Sequence, residues 1–265
     1  MTFNVDVKEN CNSCTKENYR IVPTMRIQEK LNEFFSRNDL ESVGRLLEYW
    51  ESEARTLGDE RGLLEILNEE IGYFRRTSEK DKAMNAVTEA FELLEKTGIC
   101  DTISAGTIYL NGATTMKAFG ETEQAMQYYD RANTIYHENL APDDYRLAAF
   151  YNNISAAYKD LGDDETAEKM CNDALKILKD KEDCLGEMAV TLINIAHIYY
   201  DRDPLDERIY EVVDKAWTYL MNENNQRDGD FAFICDKCHP SFAFFGYFER
   251  EAELKAIAKR IYEGA

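Results

Sequence analysis

The chain is poor in the residues that punctuate turn-rich folds, with 4 prolines and 13 glycines among 265 residues. That scarcity argues against a sandwich, a barrel or a low-complexity tract. No apolar run approaches the ~20 residues that a membrane-spanning helix needs. The start, MTFNVDVKENCNSC, lacks a basic segment followed by an apolar block, so no signal peptide is expected. Positive charge is short as well: 31 Lys and Arg face 51 Asp and Glu, a formal net charge of −20. An excess of that size repels phosphate backbones. The expectation is a cytoplasmic protein with neither membrane nor nucleic acid as partner.

Catalytic signatures are missing too. The sequence holds no glycine-rich phosphate loop, no GxSxG elbow and no HExxH. Its histidines are His137, His197 and His239. His137 is expected at a helix C-terminus, where the dipole favours a partly charged imidazole, and His197 against other helices. Acidic runs such as Asp163-Asp164-Glu165 read as solvated helix starts. The sequence therefore predicts no enzymatic activity and no cofactor.

Seven cysteines cannot all enter a closed disulfide framework. Cys100, Cys171 and Cys184 are scattered singly, whereas Cys11/Cys14 and Cys235/Cys238 have CxxC spacing. With His239, the second pair is literally a c-type haem attachment sequence, but haem attachment needs an exported chain. Four thiolates from the two pairs could form a tetrahedral zinc site only if the N-terminal segment bridged the ends of the molecule. Ordinary reduced thiols are the expectation, and a metal- or redox-linked sensor is the alternative.

What the sequence does contain is a period of 42 residues. Ala83, Ala125 and Ala167 share one column; Ala90, Ala132, Ala174 and Ala216 share another. Large residues recur at Phe74, Met116, Tyr158 and Tyr200, and again at Leu94, Tyr136, Leu178 and Leu220. Turn formers recur at Ser78, Gly120, Gly162 and Pro204. Each unit reads as two helices around that turn: Gly162 suits a left-handed helix end, and Asp163 can cap the next helix. Alanine columns let neighbouring helices approach closely. A pair this short cannot bury its apolar stripe alone, so successive pairs must stack.

Residues 150–178, FYNNISAAYKDLGDDETAEKMCNDALKIL, carry an aromatic before the turn glycine and small residues in the second helix: Tyr158, Gly162, Ala167 and Ala174. In this the chain resembles the tetratricopeptide repeat family. The 42-residue spacing and the paired Asn of YNNI resemble the variety found in kinesin light chains. The resemblance implies an all-α, right-handed solenoid of about five antiparallel helix pairs over residues 24–224. Residues 1–23 are expected to be a flexible or extended arm, and residues 225–265 an aromatic-rich helical cap. The first pair departs from the pattern at Val43 and Trp50, and the fifth at Pro204 and Ile209. Within the cap, Pro240 predicts a short or kinked helix, followed by a final helix over 249–262.

The resemblance also places the first helix of each pair on a concave groove. Asn recurs on the free face of those helices at Asn68, Asn111, Asn152, Asn153 and Asn194, although it is a mediocre helix former. Cations follow at Arg75, Lys117, Lys159 and Arg202. The plain explanation is a solvated helix face. The functional one is that an amide, donor and acceptor at once, can pair with both groups of a peptide unit. Asn68, Arg75, Asn111, Lys117, Asn152, Asn153, Lys159 and Asn194 are then the expected peptide-binding residues, with the cations favouring an acidic ligand. The expected function is a non-catalytic scaffold or adaptor for a protein or extended peptide. Homo-oligomerisation through exposed ends, or a self-associating receptor for a signalling peptide, is the further alternative.

Overall fold

The computed structural model describes residues 21–264, and among them are twelve α-helices and no strand. They are α1 (Thr24–Ser36), α2 (Leu40–Leu57), α3 (Glu60–Arg76), α4 (Lys80–Thr97), α5 (Ile103–Ala118) and α6 (Thr122–Asn139). Then follow α7 (Tyr145–Asp160), α8 (Asp164–Leu178), α9 (Leu185–Arg202), α10 (Arg208–Leu220), α11 (Gly229–Phe244) and α12 (Phe248–Tyr262). Successive helices pair as antiparallel hairpins, and each odd-numbered helix also packs against the next odd-numbered one.

The 42-residue columns have direct structural meaning. Every alanine in the two small-residue columns is fully buried where the helices cross. The turn column adopts positive φ at Ser78 (61°), Gly120 (87°) and Gly162 (80°). One residue further on, the chain closes each first helix: Glu79, Glu121 and Asp163 donate their backbone N–H to the carbonyls of Phe74, Met116 and Tyr158, each at 2.9 Å. These bonds satisfy carbonyls that a helix end leaves unpaired. Asp163 also accepts from the Thr166 N–H at 3.0 Å, the cap expected of it. At Pro204 the pattern lapses, and Asp203 is extended instead.

The segment expected to be a cap is a sixth helix pair in the same register. Phe242, Gly246, Ala258 and Tyr262 each follow Tyr200, Pro204, Ala216 and Leu220 by one period. Gly246 has φ 86°, and the Tyr247 N–H donates to the Phe242 carbonyl at 2.7 Å. Phe242 and Ala258 are buried in the core of this pair. Pro240 neither ends α11 nor shortens it: the helix runs sixteen residues through it. The missing N–H costs the helix one bond, to the carbonyl of Asp236. The aromatic run is only partly core, since Phe231 and Phe242 are buried while Phe233, Phe244 and Phe248 are exposed.

At the other end, Val22 is buried and its N–H donates to Asp59 Oδ2 at 2.9 Å, which fixes residues 21–23 against the start of α3. The rest of the expected arm, with Cys11 and Cys14, lies outside the described residues. The two ends of the solenoid meet: α1 packs against α11 as well as against α3. Gly229 permits this, because a Cβ there would run into the Cα of Ser36. Arg76 holds the seam from α3, lying over the rings of Phe35 (5.6 Å) and Phe233 (4.9 Å) and donating to Asn38 Oδ1 at 2.7 Å. The six first helices thus form a closed inner ring, with the second helices outside it.

Candidate functional site

The inner ring is the surface on which the recurrent amides and cations fall. They line up along the seams between successive first helices. Between α3 and α5, Asn111 Nδ2 donates to Asn68 Oδ1 at 2.9 Å, and Arg75 donates to Thr115 Oγ1 at 2.9 Å and the Asn111 carbonyl at 3.3 Å. Between α5 and α7, Lys117 pairs with Asp160 at 3.3 Å. Between α7 and α9, Asn152 Nδ2 donates to Thr191 Oγ1 at 2.8 Å, and Lys159 pairs with Asp201. The repetition seen in the sequence therefore has an intramolecular use, tying each unit to the next. Arg202 does not follow it, turning to Glu168 and Asp164 on α8.

The candidates are not equivalent. Asn153 donates to the Ala149 carbonyl of its own helix at 2.8 Å. Asn194 is half-buried on α9. Asn152 is different: its Nδ2 is used, but its Oδ1 is buried with no partner. Buried polar atoms are seldom left that way, so this acceptor is available to an incoming N–H.

Residues beyond the expected peptide-binding set complete the wall. Glu65 and Glu69 on α3 and Glu187 on α9 are carboxyls whose pKa is pushed up, chiefly by burial. From α11 come Phe233 and Lys237, whose Nζ lies 4.7 Å from the Phe233 ring centroid. Lys237 keeps contact with water while protein surrounds it; burial, and then the neighbouring Arg75, pull its pKa down. The signal was the 42-residue register itself, which makes α11 a first helix like the others. His197 bridges α9 to α11, with Nε2 2.8 Å from Ser241 Oγ and Phe244 and Phe245 against its ring. Burial lowers its pKa, so the neutral imidazole is favoured there.

The second CxxC pair lies elsewhere. Cys235 and Cys238 sit on α11 facing the core, both buried, and burial pushes each thiol up to about 12. Thiolate, the nucleophile and metal ligand, is scarce under such conditions. His239 has its Nδ1 buried without a hydrogen bond, 3.9 Å from Glu251. Among the described residues, no group of three or more His, Cys, Asp or Glu is placed to hold a metal ion. Nor is any described helix long and apolar enough to cross a membrane.

Residues 147–180 match the family model of the tetratricopeptide repeat. BtubC (BKLC) from P. vanneervenii is similar in structure, with a TM-score of 0.53 and 19% identity over 86% of this chain and 91% of that one. A putative kinesin light chain of Podosopora anserina with nearly identical TPR-like repeats is similar too. Its TM-score is 0.51, at 12% identity over 75% of this chain and 94% of that one. At such identities the likeness is one of fold. No curated protein matches the chain in sequence. The segment 147–180 is a tetratricopeptide repeat, and the helix pairs around it make the chain an all-α solenoid of the tetratricopeptide-repeat kind.

Proposed function

We propose that this protein is a non-catalytic interaction scaffold that holds an extended segment of a protein partner against the wall of the inner ring. The observation that carries the reading is the unpaired Asn152 Oδ1, a buried acceptor beside a row of amides. Ring geometry supports an extended ligand. Six helices spaced ~8–10 Å apart put each axis ~8–10 Å from the centre, and about 5 Å of helix leaves a radius of roughly 4 Å. A single extended strand fits such a passage; a helix, ~10–12 Å across, does not.

The cations divide into two kinds. Lys117 and Lys159 already hold Asp160 and Asp201, so a ligand carboxylate has to displace those partners. Arg75 bonds only neutral oxygens among the described residues, and Arg76 and Lys237 lie against Phe233. An acidic ligand residue is best received there.

The test is a binding titration with the partner that co-purifies, alongside melting curves. Asn152→Ala is expected to keep the fold and weaken binding by ~1–3 kcal/mol, the cost of leaving a ligand N–H unpaired. Arg75→Glu is expected to weaken it in a way that shrinks at higher salt. Normal binding by both variants, with loss of binding on charge reversal of the outer helices α6 or α8, would make the groove reading wrong.

A further inference from the structure

A separate cleft lies on the outer side of the solenoid. It opens between α2 and α4 over a floor of α3, encloses about 420 Å³, and is lined in part by Glu48, Glu51, Glu70, Tyr73, Phe74 and Lys82. Glu70 is the anomaly. Its side chain belongs to the cleft, it is only 4% exposed, and it makes no hydrogen bond and no ion pair among the described residues. Its oxygens are not fully buried, so the carboxyl loses most of its hydration, gains no protein partner in return, and still opens onto the water of the cleft.

The nearby cations are committed elsewhere. Arg55 binds Glu51 at 2.6 Å and Glu89 at 2.7 Å, and Lys82 binds Glu79 at 2.6 Å. Tyr73 and Phe74 supply adjacent rings, 5.3 Å between centroids. Gly44 of α2 makes room for the first of them, since a Cβ there would overlap the Tyr73 hydroxyl. The face of Phe74 already accepts a cation: Lys82 Nζ lies 5.3 Å from its centroid.

The geometry points to a binding site for a guanidinium group on an aliphatic chain, with Glu70 as the buried acceptor and the Tyr73 and Phe74 rings as the stacking wall. Guanidinium fits better than ammonium for three reasons: it is planar, it stacks on aromatic rings, and it gives up its hydration more readily. A bidentate contact would also meet both carboxylate oxygens of Glu70 at once. This site is on the far side of α3 from the ring interior and does not rest on the groove reading.

Protonation gives the test its signature. In the free protein burial, then the charge of Glu51, push Glu70 up to about 8, with Glu89 adding to the push and Arg55 and Lys82 pulling against it. At neutral pH the group therefore holds a proton that a bound cation must expel. The experiment is calorimetric titration of the full chain with two probes, agmatine and acetyl-Gly-Arg-Gly-amide, in buffers of different ionisation enthalpy. Saturable one-to-one binding is expected, with close to one proton released at neutral pH. Affinity should rise roughly tenfold or more between pH ~6.5 and ~8.5. Glu70→Gln keeps the shape and should abolish both proton release and pH dependence while losing most of the affinity at the higher pH; Arg75→Ala should change neither. Tighter binding of the peptide identifies the ligand as an arginine of a protein, and equal binding a small guanidino compound. No binding of either probe at millimolar concentration, unaltered proton release in Glu70→Gln, or equal affinity for the lysine analogue of the peptide would overturn the assignment.

Discussion

Glu69, Glu70 and Glu187 share one physical situation: burial is the main cause that raises the pKa of each. The consequence for stability has a definite sign. Glu70 titrates near 4.5 when unfolded and near 8 when folded, so between those values the folded chain binds more protons than the unfolded one. The contribution of Glu70 to stability must then fall as pH rises through that window, by up to about 1.4 kcal/mol per pH unit. Urea denaturation across the window is expected to show this loss, and Glu70→Gln is expected to flatten the slope and raise stability at neutral pH. Equal slopes in the two proteins would show that the buried acid does not set the pH dependence. None of this was legible in the sequence. A glutamate in an acidic helix reads as solvent-facing until α2 packs over it, whereas the buried alanines announce themselves by recurring every 42 residues.

Among the elements, the turn between paired helices is where sequence and conformation correspond most closely. Gly120, Gly162 and Gly246 hold positive φ without strain, but Ser78 holds 61° and carries a Cβ. Opposite substitutions should therefore have opposite effects. Ser78→Gly is expected to stabilise by ~0.5–1 kcal/mol, and Gly162→Ala to destabilise by at least that much. Chemical denaturation of the two variants beside the wild type decides it, and a loss of stability in Ser78→Gly would refute the strain at that turn. The sixth pair was present in these same columns at Phe242, Gly246, Ala258 and Tyr262. Two features hid it: the lapse of the pattern at Pro204 and Ile209 just before it, and Pro240, which looked like a helix breaker. The helix continues through that proline all the same, giving up the bond to the Asp236 carbonyl.

For the whole molecule, closure of the ring is the property that sets what the inner wall can hold. It depends on the approach of α11 to α1 at Gly229 and on Arg76 between Phe35 and Phe233. Gly229→Ala is expected to force this seam apart at a cost of ~1–3 kcal/mol. Small-angle scattering should then give a larger radius of gyration, and amide exchange in α1 should speed up while α7 and α8 stay protected. An unchanged radius and unchanged exchange in α1 would show that the ends do not depend on each other. The candidate wall residues were legible as a pattern of Asn and cation, but not their bonding. Asn68, Arg75, Lys117, Asn152 and Lys159 all reach across to the next first helix. A single helical wheel contains no information about such a partner.

The sequence by itself determined the helix pairs, their period, their turns and the small residues at their crossings. Each of those rests on contacts within a unit or between neighbours, which repeat at a constant spacing and so leave a periodic trace. Tertiary structure alone decided that the sixth pair meets the first, that Cys235 and Cys238 face the core, and that Glu70 lies buried beside an outer cleft. Curvature is the accumulated sum of small rotations at successive interfaces, and no one interface encodes where the sum will close.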